Sequence, residues 1–116
     1  MNTQQYLEQI KSGGEMKFSD FTDLIDNEYE FLPTAFTNGD LANKEDENQD
    51  SAKVFCFGLM HELSEYEVLR CFSEHYQSVL DSLAGGTSHL NIRNFMRRGW
   101  RGVSINAEAL TKKVNA

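Results

Sequence analysis

SAKVFCFGLMHELSEYEVLRCF, residues 51–72, is the stretch that decides the fold class. Ala52, Phe55, Leu59 and Leu63 recur at the spacing of one helical face, so a helix is expected from about Ser51 to His61. Ser64-Glu65-Tyr66-Glu67 then opens a second helix as a capping box. The Ser64 hydroxyl accepts from the Glu67 amide, and the Glu67 carboxylate reaches back to the Ser64 amide. Leu63 and Val68 flank that box as its hydrophobic staple. Val68, Leu69, Phe72, Tyr76, Val79, Leu80 and Leu83 carry the apolar stripe onward, with Gly85-Gly86 as the stop. The link between the two helices is very short, so they are expected to pack as a tight corner.

Working outward, the chain reads as further helix. Tyr6, Leu7 and Ile10 share one side of an N-terminal lead, helical or flexible, over residues 1–17, which breaks at Ser12-Gly13-Gly14. Phe21, Leu24, Ile25 and Tyr29 mark a helix beginning near Ser19, with Asp20 and Asp23 in its first turns, where carboxylates complement the helix dipole. Pro33 ends it. Asn38-Gly39 is the residue pair of a tight turn, and FLPTAFTNGDLANKEDEN reads as an extended segment, that turn and an acidic loop. In HLNIRNFMRRGW, residues 89–100, the residues Ile92, Phe95, Met96 and Trp100 form a last helical face, capped by Ser88 or Asn91. Gly99 is placed as a left-handed residue that lets Trp100 fold back on Phe95. Val103 and Ile105 alternate as a short strand does, and the tail after them is expected to fray. The fold expected is mainly α: a single compact domain of four to five helices with at most a short strand pair. Its body spans residues 18–106 and its tail 107–116.

Composition narrows the function. With 116 residues the chain is one domain's worth, and 40% hydrophobic content fits a globular protein. Val54 to Met60 is the longest apolar run, far too short to cross a bilayer, and MNTQQYLEQIK has neither the basic nor the apolar region of a secretory signal. A cytoplasmic protein with no membrane partner is expected, with Cys56 and Cys71 as buried reduced thiols. The formal net charge is −7. Residues 1–50 hold twelve Asp/Glu against three Lys, a net −9, and residues 51–116 hold six against eight Lys/Arg, a net +2. Such a chain repels polyanions, so no nucleic-acid partner is expected. The corner over residues 54–72 has the spacing of a helix-turn-helix, but its second helix opens Glu65-Tyr66-Glu67, and carboxylates do not meet phosphates.

Few residues have the pattern of a chemical site. Asp46, Asn48 and Asp50 fit the first positions of a calcium loop, but Ser51 and Phe57 stand where glycine and a bidentate glutamate are required. Cys71 and His75 are spaced i, i+4 without a third ligand, so no metal and no cofactor are expected. His89, Asn91 and Arg93 cluster at a helix start, where free amides, an imidazole and a guanidinium suit a carboxylate or phosphate. Helix capping by Asn91 and an ion pair of Arg93 with one of the many acids is the competing structural account.

Several stretches carry a resemblance. YEFLPTAFTNGD (29–40), NQDSAKVFCF (48–57), LSEYEVLRCF (63–72), HLNIRNFMRRGW (89–100) and Gly102 are similar to the HopJ type III effector proteins, over about Phe18 to Ile105. Asp50 and Gln77 depart from the family pattern, which has glycine and arginine there. The resemblance implies an effector-like protein of unknown mechanism and does not by itself imply secretion; a type III export route stays open beside the cytoplasmic expectation, and the polar N-terminus with Thr3, Gln4, Gln5, Gln9 and Ser12 is compatible with it. The resemblance attaches no catalytic activity. The matched residues outside the evident core are Asn38, Asp40, Asn48, Ser51, Lys53, His89, Asn91 and Arg93, with Gly39 in the turn. These are the candidate ligand-binding residues, expected to form a polar pocket between the acidic loop and the last helix. Two readings follow. In one the protein is a binding or interaction module for a protein partner; in the other it binds, or acts on, a small anion around His89 and Arg93.

Overall fold

The computed structural model describes residues 1–83, 86 and 88–114. The expected corner is present. Helix α3, Gln49–Met60, and helix α4, Glu65–Cys71, are joined by four residues, with the Leu63 amide donating to the Gly58 carbonyl at 2.9 Å. The Ser64–Glu67 capping box is formed in both directions. Helix α3 is not amphipathic in the way its spacing suggested. Ala52, Val54, Phe55, Cys56, Phe57 and Gly58 are all buried, so its middle is enclosed on every side. Gly58 permits this: a Cβ there would stand 2.8 Å from Val68 Cγ2 and 2.9 Å from the Trp100 ring.

The other elements wrap α3. Helices α1, Thr3–Ser12, and α2, Phe18–Glu28, bring Tyr6, Ile10, Phe21, Leu24 and Ile25 onto it. The rings of Tyr6, Phe21 and Tyr29 meet Phe57 edge-on at centroid distances of 5.4–5.9 Å. On the opposite side Phe55 packs on Phe36, Phe72 and Phe95 at 5.3–5.9 Å. Such pairs add roughly 0.5–1.5 kcal/mol each beyond area burial. Cys56 and Cys71 are buried and free. No helix among the described residues is long and apolar enough to cross a membrane.

The architecture is mainly helical, as expected, but the element count differs. The described residues hold six α-helices and five short strands, where four to five helices and at most one strand pair were expected. The extra helix arises because the stripe from Val68 to Leu83 is not continuous. It breaks at Phe72-Ser73, with Ser73 at φ 53°, into α4 and α5, Glu74–Asp81. The bend keeps Phe72 buried against Phe18 and Phe55, and the Glu74 carboxylate accepts from the Phe18 amide at 2.6 Å. Past Val79 the stripe is solvent-facing: Leu80 is 38% and Leu83 59% exposed. The helix has already ended at Asp81, and Gly85 of the expected Gly85-Gly86 stop lies outside the described residues.

The strands come from the segment read as an acidic loop and from the tail. Strands β2, Phe36–Asn38, and β3, Leu41–Asn43, form a hairpin around Gly39-Asp40, with Gly39 at φ 64°. Leu41-Ala42-Asn43 makes a strand despite weak strand propensity because Asn43 is buried and hydrogen-bonded there. Strand β4, Val103–Ile105, adds to β2, giving the order β3-β2-β4. Strand β1, Tyr29–Phe31, pairs with β5, Leu110–Lys112, and Ala109 and Leu110 are buried. The tail expected to fray is therefore paired through Lys112; Asn115 and Ala116 lie outside the described residues. The N-terminal lead is also tied down. Thr3 donates from its amide and hydroxyl to Glu28 Oε1 at 2.8 and 2.7 Å, and its hydroxyl lies 3.0 Å from that of Tyr29. At the other end of α1, Arg70 holds the carbonyls of Ile10 and Gly14.

The broken stripe has a measurable consequence. Val79→Ala should cost about 2 kcal/mol, from two lost methylene equivalents and a cavity, whereas Leu80→Ala should change stability by less than about 0.5 kcal/mol. Urea unfolding of both variants distinguishes this from one continuous buried helix, for which the two costs would be similar.

Candidate functional site

Helix α6, Leu90–Arg98, lies over the hairpin and beside α5. Where its N-terminus comes near the start of α3 there is a cleft of about 680 Å³. Asn48, Gln49, Asp50 and Ser51 line one wall, His89, Leu90, Asn91 and Ile92 the other, and Phe18, Leu41, Phe72 and His75 contribute the rest. Four of the eight candidate residues, Asn48, Ser51, His89 and Asn91, thus share this cleft.

Both helices start in an unusual way. The residues at the N-cap positions, Asn48 and His89, are in left-handed conformation at φ 52°, and neither helix start is capped by its N-cap side chain. The first-turn amides of a helix have no partner inside it, so two sets of such donors open beside one cleft. Ser51 is the third residue of α3 and not its cap. Asn91 is the second residue of α6 and not a cap either; it is buried.

Asn91 instead anchors a buried asparagine network. Its Nδ2 donates to Asn43 Oδ1 at 3.0 Å, while its carbonyl and Oδ1 accept from Asn38 Nδ2 at 2.8 and 3.0 Å. Asn48 Nδ2 also reaches Asn43 Oδ1, at 2.8 Å. Asn94 Nδ2 donates to the Asn38 carbonyl at 2.9 Å and lies 3.4 Å from Asp40 Oδ1. The network joins the hairpin, the start of α3 and α6 through short side chains, and fixes the distance between the two helix starts. Asn43 and Asn94 were missed in the sequence. A lone asparagine in a loop or on a helix has no periodicity that marks it as buried, and only their partners reveal them.

Two imidazoles stand at the cleft. The His75 and His89 rings are 5.1 Å apart, and His75 also meets Phe18 edge-on at 4.9 Å. Burial lowers the His89 pKa, and the neighbouring charges of His75 and Arg93 push it the same way. His89 therefore stands largely neutral at pH 7 and gains a proton most readily when an anion sits beside it. Asp50, at the cleft's edge, faces Lys53 across an i, i+3 pair at 3.7 Å.

The remaining candidates are elsewhere. Arg93 does not pair with an acid among the described residues. Its guanidinium bonds the Ser88 carbonyl at 2.6 Å, the Ser82 carbonyl at 3.1 Å and the Ser82 hydroxyl at 3.0 Å, clipping the end of α5 to α6. Lys53 stands over the Phe31 ring at 5.5 Å, and Asn38 and Asp40 belong to the hairpin side of the asparagine network. A second polar chain lies apart from the cleft: the Tyr29 hydroxyl is 2.8 Å from His61 Nε2 and continues through Thr3 to Glu28.

The family model described as HopJ type III effector protein matches residues 3–110, and the chain belongs to that family. The matched span includes α1. A crystal structure of the unknown-function protein VPA0580 is similar, with a TM-score of 0.91 and 38% identity over 97% of this chain and 95% of that one. No curated protein matches the sequence.

Two outcomes follow from this geometry. Asn91→Ala leaves Asn38 and Asn43 short of buried partners and should cost about 1–3 kcal/mol in urea unfolding; a neutral effect would show that the network does not hold the hairpin to α6. Acid should destabilise the fold in two stages. His61 and His89 have lowered folded pKa values, both mainly through burial, so unfolding takes up protons and stability falls as pH drops below about 6.5. Glu28, Glu67 and Glu74 are held below the usual 4.5, first by the Thr3 side-chain bond, the Ser64 amide and the Glu74 amide respectively. Their contribution is full above that value and is lost below it. Unfolding curves from pH 8 to 3.5 read both stages, and stability that rises on acidification would contradict them.

Proposed function

We propose that this member of the HopJ family is an effector-type binding module, and that the cleft between the starts of α3 and α6 receives a small anionic group, a carboxylate or a phosphate. The observation that carries the reading is the pairing of two helix starts, neither capped by its N-cap side chain, with two imidazoles around one cleft. Backbone amides at a helix start and a protonatable imidazole are the groups that bind such anions. The asparagine network supports it by holding the two starts at a fixed separation, so little ordering is needed on binding. The reading includes no covalent chemistry. The family's type III association supports a protein that acts after export, on a molecule met at its destination.

Asp50 works against an anion here. Its carboxylate lines the cleft and is only partly offset by Lys53 at 3.7 Å. Asp50→Asn should therefore tighten anion binding.

The test is a thermal-melt titration with inorganic phosphate, citrate and nucleotides. A ligand present at 100 times its Kd adds about 2.7 kcal/mol, a rise of several degrees for a domain of this size. The shift is expected to grow as pH falls from 8 to 6, because an anion favours the imidazolium of His89, and to disappear in His89→Ala. Arg93→Ala should melt earlier yet keep its ligand shift, since its guanidinium is committed to Ser82 and Ser88. No shift with any anion in wild type and Asp50→Asn would refute the anion site.

A further inference from the structure

A second surface stands independently of the cleft. The ion pairs among the described residues are Lys11–Glu67 and Lys53–Asp50; neither involves an arginine, although the chain carries eighteen carboxylate side chains against five arginines. Arg70 and Arg93 are occupied by backbone carbonyls and serines. Arg97, Arg98 and Arg101 are exposed at the end of α6 and in the 3-10 turn that follows, Gly99–Gly102.

The end of a helix favours cations, and that alone would account for Arg97 and Arg98. It does not account for Arg101, which lies beyond the helix, or for how Arg98 is seated. A Cβ at Gly39 would stand 2.9 Å from Arg98 Cδ and 3.1 Å from its Nε, and one at Gly102 would stand 3.0 Å from Arg98 Cβ. The Arg98 stem lies against two bare backbones that are themselves joined, the Gly39 amide donating to the Gly102 carbonyl at 2.8 Å. Arg97 is steered by Asn94 Oδ1 at 3.5 Å. The Arg98 stem is thus packed in place with its guanidinium left exposed, and the Arg97 guanidinium is oriented; neither has a carboxylate partner among the described residues. Order of this kind lowers the entropy lost when a planar, bidentate anion docks.

We infer that Arg97, Arg98 and Arg101 form a docking edge for a short acidic segment of a partner protein. Guanidinium forks match carboxylates two bonds at a time. Charge complementarity limits the partner's extent. The chain as a whole is −7, with −9 in its first fifty residues, so a long polyanion such as a nucleic acid or an anionic membrane would meet repulsion once it ran past the edge. A brief run of Asp or Glu would not.

The experiment uses the full chain and fluorescence anisotropy of a labelled ten-residue glutamate peptide. A ten-residue lysine peptide, a twenty-nucleotide single strand and vesicles containing phosphatidylserine serve as comparison probes. The glutamate peptide should bind saturably, losing about tenfold in affinity as salt rises from low to physiological and above, through screening. Arg98→Gln and Arg101→Gln should each weaken it several-fold with unchanged melting temperature. Arg98→Lys should not restore it, because an ammonium lacks the fork. Asp50→Asn and His89→Ala, which alter the cleft, should leave it unchanged. The inference is overturned if the glutamate peptide does not bind, if it binds Arg98→Gln and Arg101→Gln as well as wild type, or if the nucleic acid or the vesicles bind more tightly.

Discussion

Everything in this fold answers to the need to enclose α3. Six consecutive or near-consecutive residues of that helix, Ala52 and Val54 to Gly58, are buried, so no single partner helix can cover it. A helix that is apolar all round must be surrounded. Helices α1 and α2 close the Phe57 side and α4, α6 and the hairpin close the Phe55 side. The chain's ends are recruited for the same purpose: Thr3 ties the start of α1 to Glu28, and β5 pairs with β1. A domain this small has little surplus burial, and its termini belong to the core arrangement.

Polar groups set the arrangement where apolar packing does not. The hairpin, the start of α3 and α6 meet through Asn38, Asn43, Asn48, Asn91 and Asn94, whose short amides reach backbone and one another. A buried network of this kind fixes geometry because each member has few alternative partners. Asn38 Oδ1 is buried and has no hydrogen-bond partner among the described residues. The structural consequence is that the hairpin and the two helix starts are tied to one another, and the cleft lies between those starts.

The candidate site was legible in parts. Asn48, Ser51, His89 and Asn91 stood out as polar residues without an evident core role, and they do border one cleft. The sequence suggests Asn91 as a helix cap and Ser51 as a helix start, and both lie inside their helices. Their actual places depend on Asn48 and His89 adopting left-handed backbone, which a sequence does not announce for residues other than glycine. Arg93 drew notice as a charge, yet its role is a clip to Ser82 and Ser88. His75, whose ring is 5.1 Å from that of His89, shows in the sequence only an i, i+4 spacing from Cys71. Its relation to His89 spans a turn of chain that local periodicity cannot see.

By itself the sequence determined the elements whose causes are local. The Ser64 capping box, the stripes of α2 and α6, the turn at Gly39 and the return of Trp100 onto Phe95 at 5.2 Å all arise from residues within a few positions of one another. Tertiary structure alone decided the break at Ser73, the strand at Leu41–Asn43 and the pairing of the C-terminal segment. In each of these a distant group compensates for weak local preference. The Glu74 bond to Phe18, the burial of Asn43 against Asn91 and the ladder from β5 to β1 span from 48 to more than 80 residues of chain. Contacts across such separations carry no periodic signal, and they place the helix starts beside one another to make the cleft.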